Sequence, residues 1–176
     1  MIRIRRAKST DSADLFQWRN DVGTRAASIS TDIVEWTDHN EWLATSLESQ
    51  SRWLYIALAG EGDDAARLGM CRFDLGSDGA SVEVSINLNP DYRGRGLAVQ
   101  ILSESIRVFR DSDDHGKMRL TATIRPDNRA STTTFERLGF QLMSTAGGFD
   151  HYVLRPVTAL LGEKIPTDRG ADGGLP

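Results

Sequence analysis

The stretch Ser81-Val82-Glu83-Val84-Ser85-Ile86-Asn87-Leu88-Asn89-Pro90-Asp91-Tyr92-Arg93-Gly94-Arg95-Gly96-Leu97-Ala98-Val99 decides the fold. Its first half alternates: Val82, Val84, Ile86 and Leu88 face one way, and Glu83, Ser85 and Asn87 the other. That period of two is a strand with one buried face. From about Gly96 to Arg110 the period changes, and Leu97, Ile101, Leu102, Ile106 and Phe109 recur at helical spacing. The loop between them is rich in glycine and arginine. A helix start leaves several N–H groups unpaired and carries partial positive charge. Gly94 and Gly96 let the backbone present those groups with no side chain in the way. Arg93 and Arg95 add charge at the rim. Strand, loop and helix together make a cradle for an anion such as phosphate. The loop lacks the Lys-Ser/Thr pair of a Walker-type loop and the three-glycine spacing of a dinucleotide fold. On local physics alone, a plain tight turn from strand to helix is the alternative.

Outward from this stretch the pattern alternates in type. Ile2 to Arg6, Trp53 to Ala59, Arg67 to Asp74, Arg119 to Ile124, Gln141 to Thr145 and His151 to Leu154 read as strands. Asp11 to Asn20, a segment from Thr37 or Asp38 to about Ser49, and Arg129 to Leu138 read as helices. Asp38 followed by Glu41 resembles a capping box, and Gly139 suits the left-handed position after a helix end. The order predicts an α/β fold: a mixed, mostly antiparallel sheet flanked by helices.

The bulk properties narrow the class. A chain of 176 residues, 39% hydrophobic and 26% charged, suits one domain with its own core. Residues 1–156 read as that domain. Residues 157–176, rich in Gly, Pro and charge, read as a flexible C-terminal extension. No apolar run approaches the ~18 residues of a membrane span. The start, Met1-Ile2-Arg3-Ile4-Arg5-Arg6, lacks the apolar stretch of a secretory signal. A cytoplasmic protein without a membrane partner is therefore expected. A net charge of −4 argues against a generic nucleic-acid binder. Cys71 is the only cysteine, which excludes an intramolecular disulfide and suggests a buried structural thiol. His39, His115 and His151 show no metal-site spacing, so no metal is expected.

Arg93-x-x-Gly96-x-Ala98 resembles the coenzyme A pyrophosphate motif of the GNAT superfamily (Gcn5-related N-acetyltransferases). Ile86-Asn87-Leu88-Asn89-Pro90-Asp91-Tyr92 looks like that family's fourth strand and its exit. Asn128, the helix after it and the closing Leu138-Gly139-Phe140 are similar to its second cofactor motif. The resemblance implies acetyl-coenzyme A as co-substrate and a splayed pair of fourth and fifth strands. It also implies roles. Ile86, Asn87 and Leu88 would contact the acetyl and pantetheine arm, largely through backbone groups. Arg93, Gly94, Arg95, Gly96, Leu97, Ala98 and Val99 would wrap the pyrophosphate, and Asn128 would bond the pantetheine region. By analogy, a homodimer would form through the last strands.

Transfer to an amine needs a base, because an alkyl ammonium of pKa ~10 is mostly protonated at pH 7. Glu83, on the polar face of the strand where the family often places a glutamate, is the candidate. A salt-bridged strand glutamate is the alternative. The family's thiolate-protonating tyrosine has no counterpart, since Phe135 stands there. Tyr152 or a water could substitute. The run from Trp18 through Arg19, Asn20 and Arg25 to His39 resembles GNAT enzymes that acetylate nucleotide-linked amino sugars. Arg19 and Arg25 would then hold a phosphate or diphosphate, Trp18 would stack on a base or sugar, and His39 would be a second base or donor. Core roles for Trp18 and His39 are the competing reading. Two other functions stay open: protein N-terminal acetylation of the ribosomal-protein type, and a non-catalytic acyl-coenzyme A-binding module.

Overall fold

A computed structural model describes residues 1–62, 65–112 and 115–154. Its centre is a seven-stranded sheet of β1 (Ile2–Arg6), β2 (Arg52–Ala59), β3 (Ala66–Leu75), β4 (Ser81–Leu88), β5 (Arg119–Ile124), β6 (Gln141–Ala146) and β7 (Phe149–Leu154). The spatial order is β1-β2-β3-β4-β5-β7-β6. Short links join β2 to β3 and β3 to β4, which pair antiparallel, and β1 pairs antiparallel with β2 although residues 7–51 lie between them. The link from β4 to β5 runs through a helix, so that pair is parallel. The tight turn Gly147-Gly148, with φ of 61° and 82°, returns β6 into β7. The helices are α1 (Ser12–Asn20), α2 (Val22–Ala27), α3 (Trp36–Glu48), α4 (Leu97–Asp111) and α5 (Arg129–Arg137).

The sheet buries both faces. On one, Phe73, Val82, Val84, Leu120 and Ala122 meet Ile101, Leu102, Ile106 and Phe109 of α4 and Phe135 of α5. On the other, Leu54, Ile56 and Leu58 meet Leu15 and Trp18 of α1 and Leu43 of α3. Strand β2 serves both cores, which is why Leu54-Tyr55-Ile56-Ala57-Leu58 is a continuous apolar run rather than an alternation. Cys71 lies in the first core, and burial pushes its thiol up to about 12, so it is inert.

Two features differ from the expectations. Helix α2 has no counterpart in the sequence pattern; it is short and buries no residue, so it leaves no apolar periodicity. Helix α3 begins at Trp36, after Glu35, without a side-chain cap, so the Asp38 capping box does not form. Tertiary contact sets that start: the Asn20 amide donates to the Val34 carbonyl and accepts from the Val34 N–H, both at 2.8 Å. The expected extension, 157–176, lies outside the described residues.

Asp11, just before α1, ties that helix to β1 and β3. It is wholly buried. Arg5 grips it with two bonds of 2.7 Å, Arg67 donates at 3.0 Å, and the Lys8 N–H donates at 2.8 Å. Burial alone would raise its pKa, but the Arg5 bonds, the Lys8 N–H and the charges of Arg5 and Arg67 outweigh it and hold the carboxyl below its usual value. Its contribution is therefore present at neutral pH and is lost only as pH falls below the ordinary carboxylate range. Asp11→Asn should destabilise the fold by about 3 kcal/mol at pH 7, the low end for breaking a buried pair because both arginines are partly exposed. Denaturant melts should show the difference shrinking toward pH 3.

Candidate functional site

Strands β4 and β5 pair only at Ser81↔Arg119, Val82↔Leu120 and Glu83↔Thr121. Beyond Glu83 they separate, leaving a wedge-shaped gap. The Asn89 N–H donates to Leu68 of β3 at 2.9 Å. Alternation then turns the N–H and C=O of Leu88 and Ile86 toward the gap, and the Asn87 backbone toward β3. Arg93 approaches the Leu88 carbonyl at 3.4 Å from the gap side, in agreement. A strand edge bare of partners pairs readily with an extended ligand. Gly69 makes the local packing possible. A Cβ there would lie 2.7 Å from the Asn87 oxygen and 3.0 Å from the Leu88 Cα. A glycine inside a strand is the usual sequence sign of such close backbone approach.

The mouth of the gap is the anion cradle. Gly94 and Gly96 have φ of 73° and 72°, and a Cβ on either would meet nothing within 4 Å. Gly96 caps α4 without a side chain to bond. The first-turn N–H groups of Leu97, Ala98 and Val99 thus keep their hydrogens for a ligand, at the positive end of the helix. Arg95 donates to the Asp91 carbonyl at 2.8 Å and lies over the Tyr92 ring, which stiffens the loop.

Helix α2 straps the site. Arg93 turns its guanidinium onto Asp21 and the Thr24 hydroxyl. Thr24 donates to the Asn87 side chain at 3.1 Å. Asn128 caps α5 by accepting from the Ser131 N–H at 3.1 Å and donates to the Ala27 carbonyl at 3.3 Å. So the side chains of Arg93, Asn87 and Asn128 all hold α2. The strap runs from β4 to the start of α5, across the gap.

Glu83 is exposed at the fork, on the face covered elsewhere by α1 and α3. The other expected acceptor residues have structural partners. Trp18 is 2% exposed and packs in the second core, so it has no free face for stacking. His39 is buried among Phe16, Trp36 and Trp42, and its Nε2–H donates to the Ser12 carbonyl at 2.9 Å. Burial lowers its pKa against that bond. Arg19 donates to the Ser30 carbonyl, and Arg25 to the carbonyls of Asn20 and Thr31, while Asn20 clamps Val34. Phe135 and Tyr152 are buried in the first core. Among the described residues no cluster of His, Cys, Asp and Glu could hold a metal ion, and no helix is long and apolar enough to cross a membrane.

A fork between parallel strands beside an uncapped glycine start to the following helix offers bare strand backbone and a helix N-terminus side by side. The profile of the family described as "Acetyltransferase (GNAT) domain" matches residues 2–141, and the chain belongs to that family. It is 29% identical over 124 residues to a Bacillus subtilis (strain 168) protein described as "Putative phosphinothricin acetyltransferase YwnH", covering 70% of this chain and 73% of that one. The fold matches Vibrio cholerae spermidine N-acetyltransferase in complex with CoA and spermine (TM-score 0.75, 12% identity, 90% and 98% of the two chains). It also matches aminoglycoside acetyltransferase AAC(6')-Ib in complex with coenzyme A and kanamycin (TM-score 0.74, 16% identity, 92% and 98%).

Asp21→Ala removes the ionic hold on Arg93 and the cap of α2. Hydrogen exchange at Val22–Ala27 should speed up roughly tenfold, the ~1.5 kcal/mol of one charged hydrogen bond. Amides in β3 should be unaffected.

Proposed function

We propose that the chain transfers the acetyl group of acetyl-coenzyme A to a primary amine, with Glu83 taking the amine's proton. The observation that carries this is the place where β4–β5 pairing ends: Glu83 belongs to the last pair, so its carboxylate stands at the apex of the gap. The cradle suits the donor's diphosphate, because both glycines leave open space where a side chain would intrude. The gap-facing N–H and C=O groups of Ile86 and Leu88 suit its amide-bearing arm. Acetyl-coenzyme A supplies an acetyl group activated as a thioester. A gap-facing N–H on β4 stabilises negative charge growing on the carbonyl oxygen. Glu83 deprotonates the incoming ammonium, directly or through water. Phe135 offers no hydroxyl to the departing sulfur, but a thiol of pKa ~8.5 leaves without a dedicated acid. The side chains of Arg93, Asn87 and Asn128 support the cofactor site by holding α2, and the backbone of Arg93 to Val99 faces the anion.

A nucleotide-linked amino sugar is the finer acceptor assignment, from the Trp18-to-His39 run. It has less support than a smaller amine, because Arg19 and Arg25 are engaged by backbone carbonyls and Trp18 is enclosed.

Glu83→Gln should lower kcat about 100-fold, the ordinary scale of general-base catalysis, with Kd for coenzyme A unchanged. Unaltered turnover would remove Glu83 as the base. Gly96→Ala strains a left-handed position by ~1–2 kcal/mol and should raise Kd for coenzyme A about tenfold in calorimetry. An unchanged Kd would remove the cradle.

A further inference from the structure

The sheet face beside Glu83 carries charge that acetyl transfer does not use. Arg52 of β2 is opposite Asp74 of β3, and Asp74 is opposite Glu83 of β4. Arg72 of β3 is opposite Ser85, so it shares this face. Asp74 is gripped by Arg52, and it lies 2.7 Å from Arg72 Nε, an ionic contact too bent to be a hydrogen bond. The Arg72 side chain remains 34% exposed, enough to meet a ligand.

Arg19 descends on this patch from α1. Its Nη1 is enclosed and has no acceptor among the described residues. Burial lowers its pKa, and the neighbouring charges of Arg25 and Arg72 lower it further against Asp32. Arginines held together with N–H groups left over make a field that favours an anion. The carbonyls of Ser30, Asn20 and Thr31 satisfy geometry but bring no charge.

Resting on the reading that Glu83 faces the acceptor, we propose that Arg72, backed by Arg19, binds an anionic group carried by the acceptor amine, a carboxylate, phosphinate or phosphate. Ser85, opposite Arg72, is two residues from Glu83, about 7 Å along a strand. A compact molecule with its anion a few atoms from the nitrogen spans that distance. The planar guanidinium suits a two-oxygen anion. A polycation such as a polyamine meets repulsion instead.

The test uses the full chain, acetyl-coenzyme A and thiol release. Phosphinothricin is compared with its carboxyl methyl ester, glucosamine 6-phosphate with glucosamine, and spermidine stands alone. The anionic member of at least one pair should exceed its partner at least tenfold in kcat/KM, and the pair that does so separates a carboxylate from a phosphate ligand. Spermidine should be slowest. Arg72→Gln should raise KM for the anionic acceptor at least tenfold and abolish the preference, with Kd for coenzyme A unchanged, and Arg72→Lys should restore part of it. Ser85→Glu, which keeps Arg72 and neutralises it in place, should also abolish the preference and covers the case of an Arg72 variant that does not fold. Equal rates within both pairs, faster turnover of spermidine, no turnover of any acceptor, or an unchanged KM in Arg72→Gln overturns the proposal. Failure of the underlying reading shows separately, as full turnover in Glu83→Gln.

Discussion

The short parallel ladder between β4 and β5 is the constraint on which the rest depends. Strand β4 is held by β3 from Val82 to Leu88, and β5 is held by β7 from Leu120 to Ile124. Each strand follows its own outer neighbour. They share only the pairs from Ser81↔Arg119 to Glu83↔Thr121 before parting. Parallel pairing is slightly weaker per residue than antiparallel pairing, so the fork opens where the competition is least costly. The bare backbone at Ile86 and Leu88, the helix start at the mouth and the carboxylate at the apex all follow from that one divergence.

A fork in a sheet would be loose if nothing spanned it. Helix α2 does so with few apolar contacts, using Asp21, Thr24 and the Ala27 carbonyl as anchors for Arg93, Asn87 and Asn128. These polar side chains therefore brace the strap, while main-chain groups are left bare at the gap. Such a division makes sense for a site that binds a diphosphate and an amide-bearing arm. Both are recognised well by backbone N–H and C=O groups, which cannot swing away. The same polar bracing, unsupported by a packed core, places α2 among the more easily opened parts of the molecule.

Donor and acceptor sides obey different physics. The donor side depends on backbone geometry, which a fold preserves across chains of low identity, such as those solved with coenzyme A and kanamycin or spermine. The acceptor side depends on side-chain charge, which the fold does not prescribe. The sheet face proposed for the acceptor gathers Arg19, Arg25, Arg52 and Arg72 near Asp32, Asp74 and Glu83.

The sequence by itself determined the sheet strands, the glycine start of α4 and Gly139 after α5. Each is a local property: alternation, helical period, or a left-handed glycine. It also placed Glu83 on the polar face of β4, opposite to that of Val82 and Val84. Only the tertiary structure decided where β4 and β5 part, because that depends on what holds each strand from outside. It alone showed that Trp18 and His39 are packed inside, since periodicity cannot tell a buried aromatic from a binding one. Helix α2 and the start of α3 were hidden because contacts distant in sequence, Asn20 with Val34 and Arg93 with Asp21, stabilise them in place of local capping. Arg72 was invisible for the same reason: an arginine in a strand acquires its meaning from the residues across from it, Leu54 on one side and Ser85 on the other, and from the helix that brings Arg19 above.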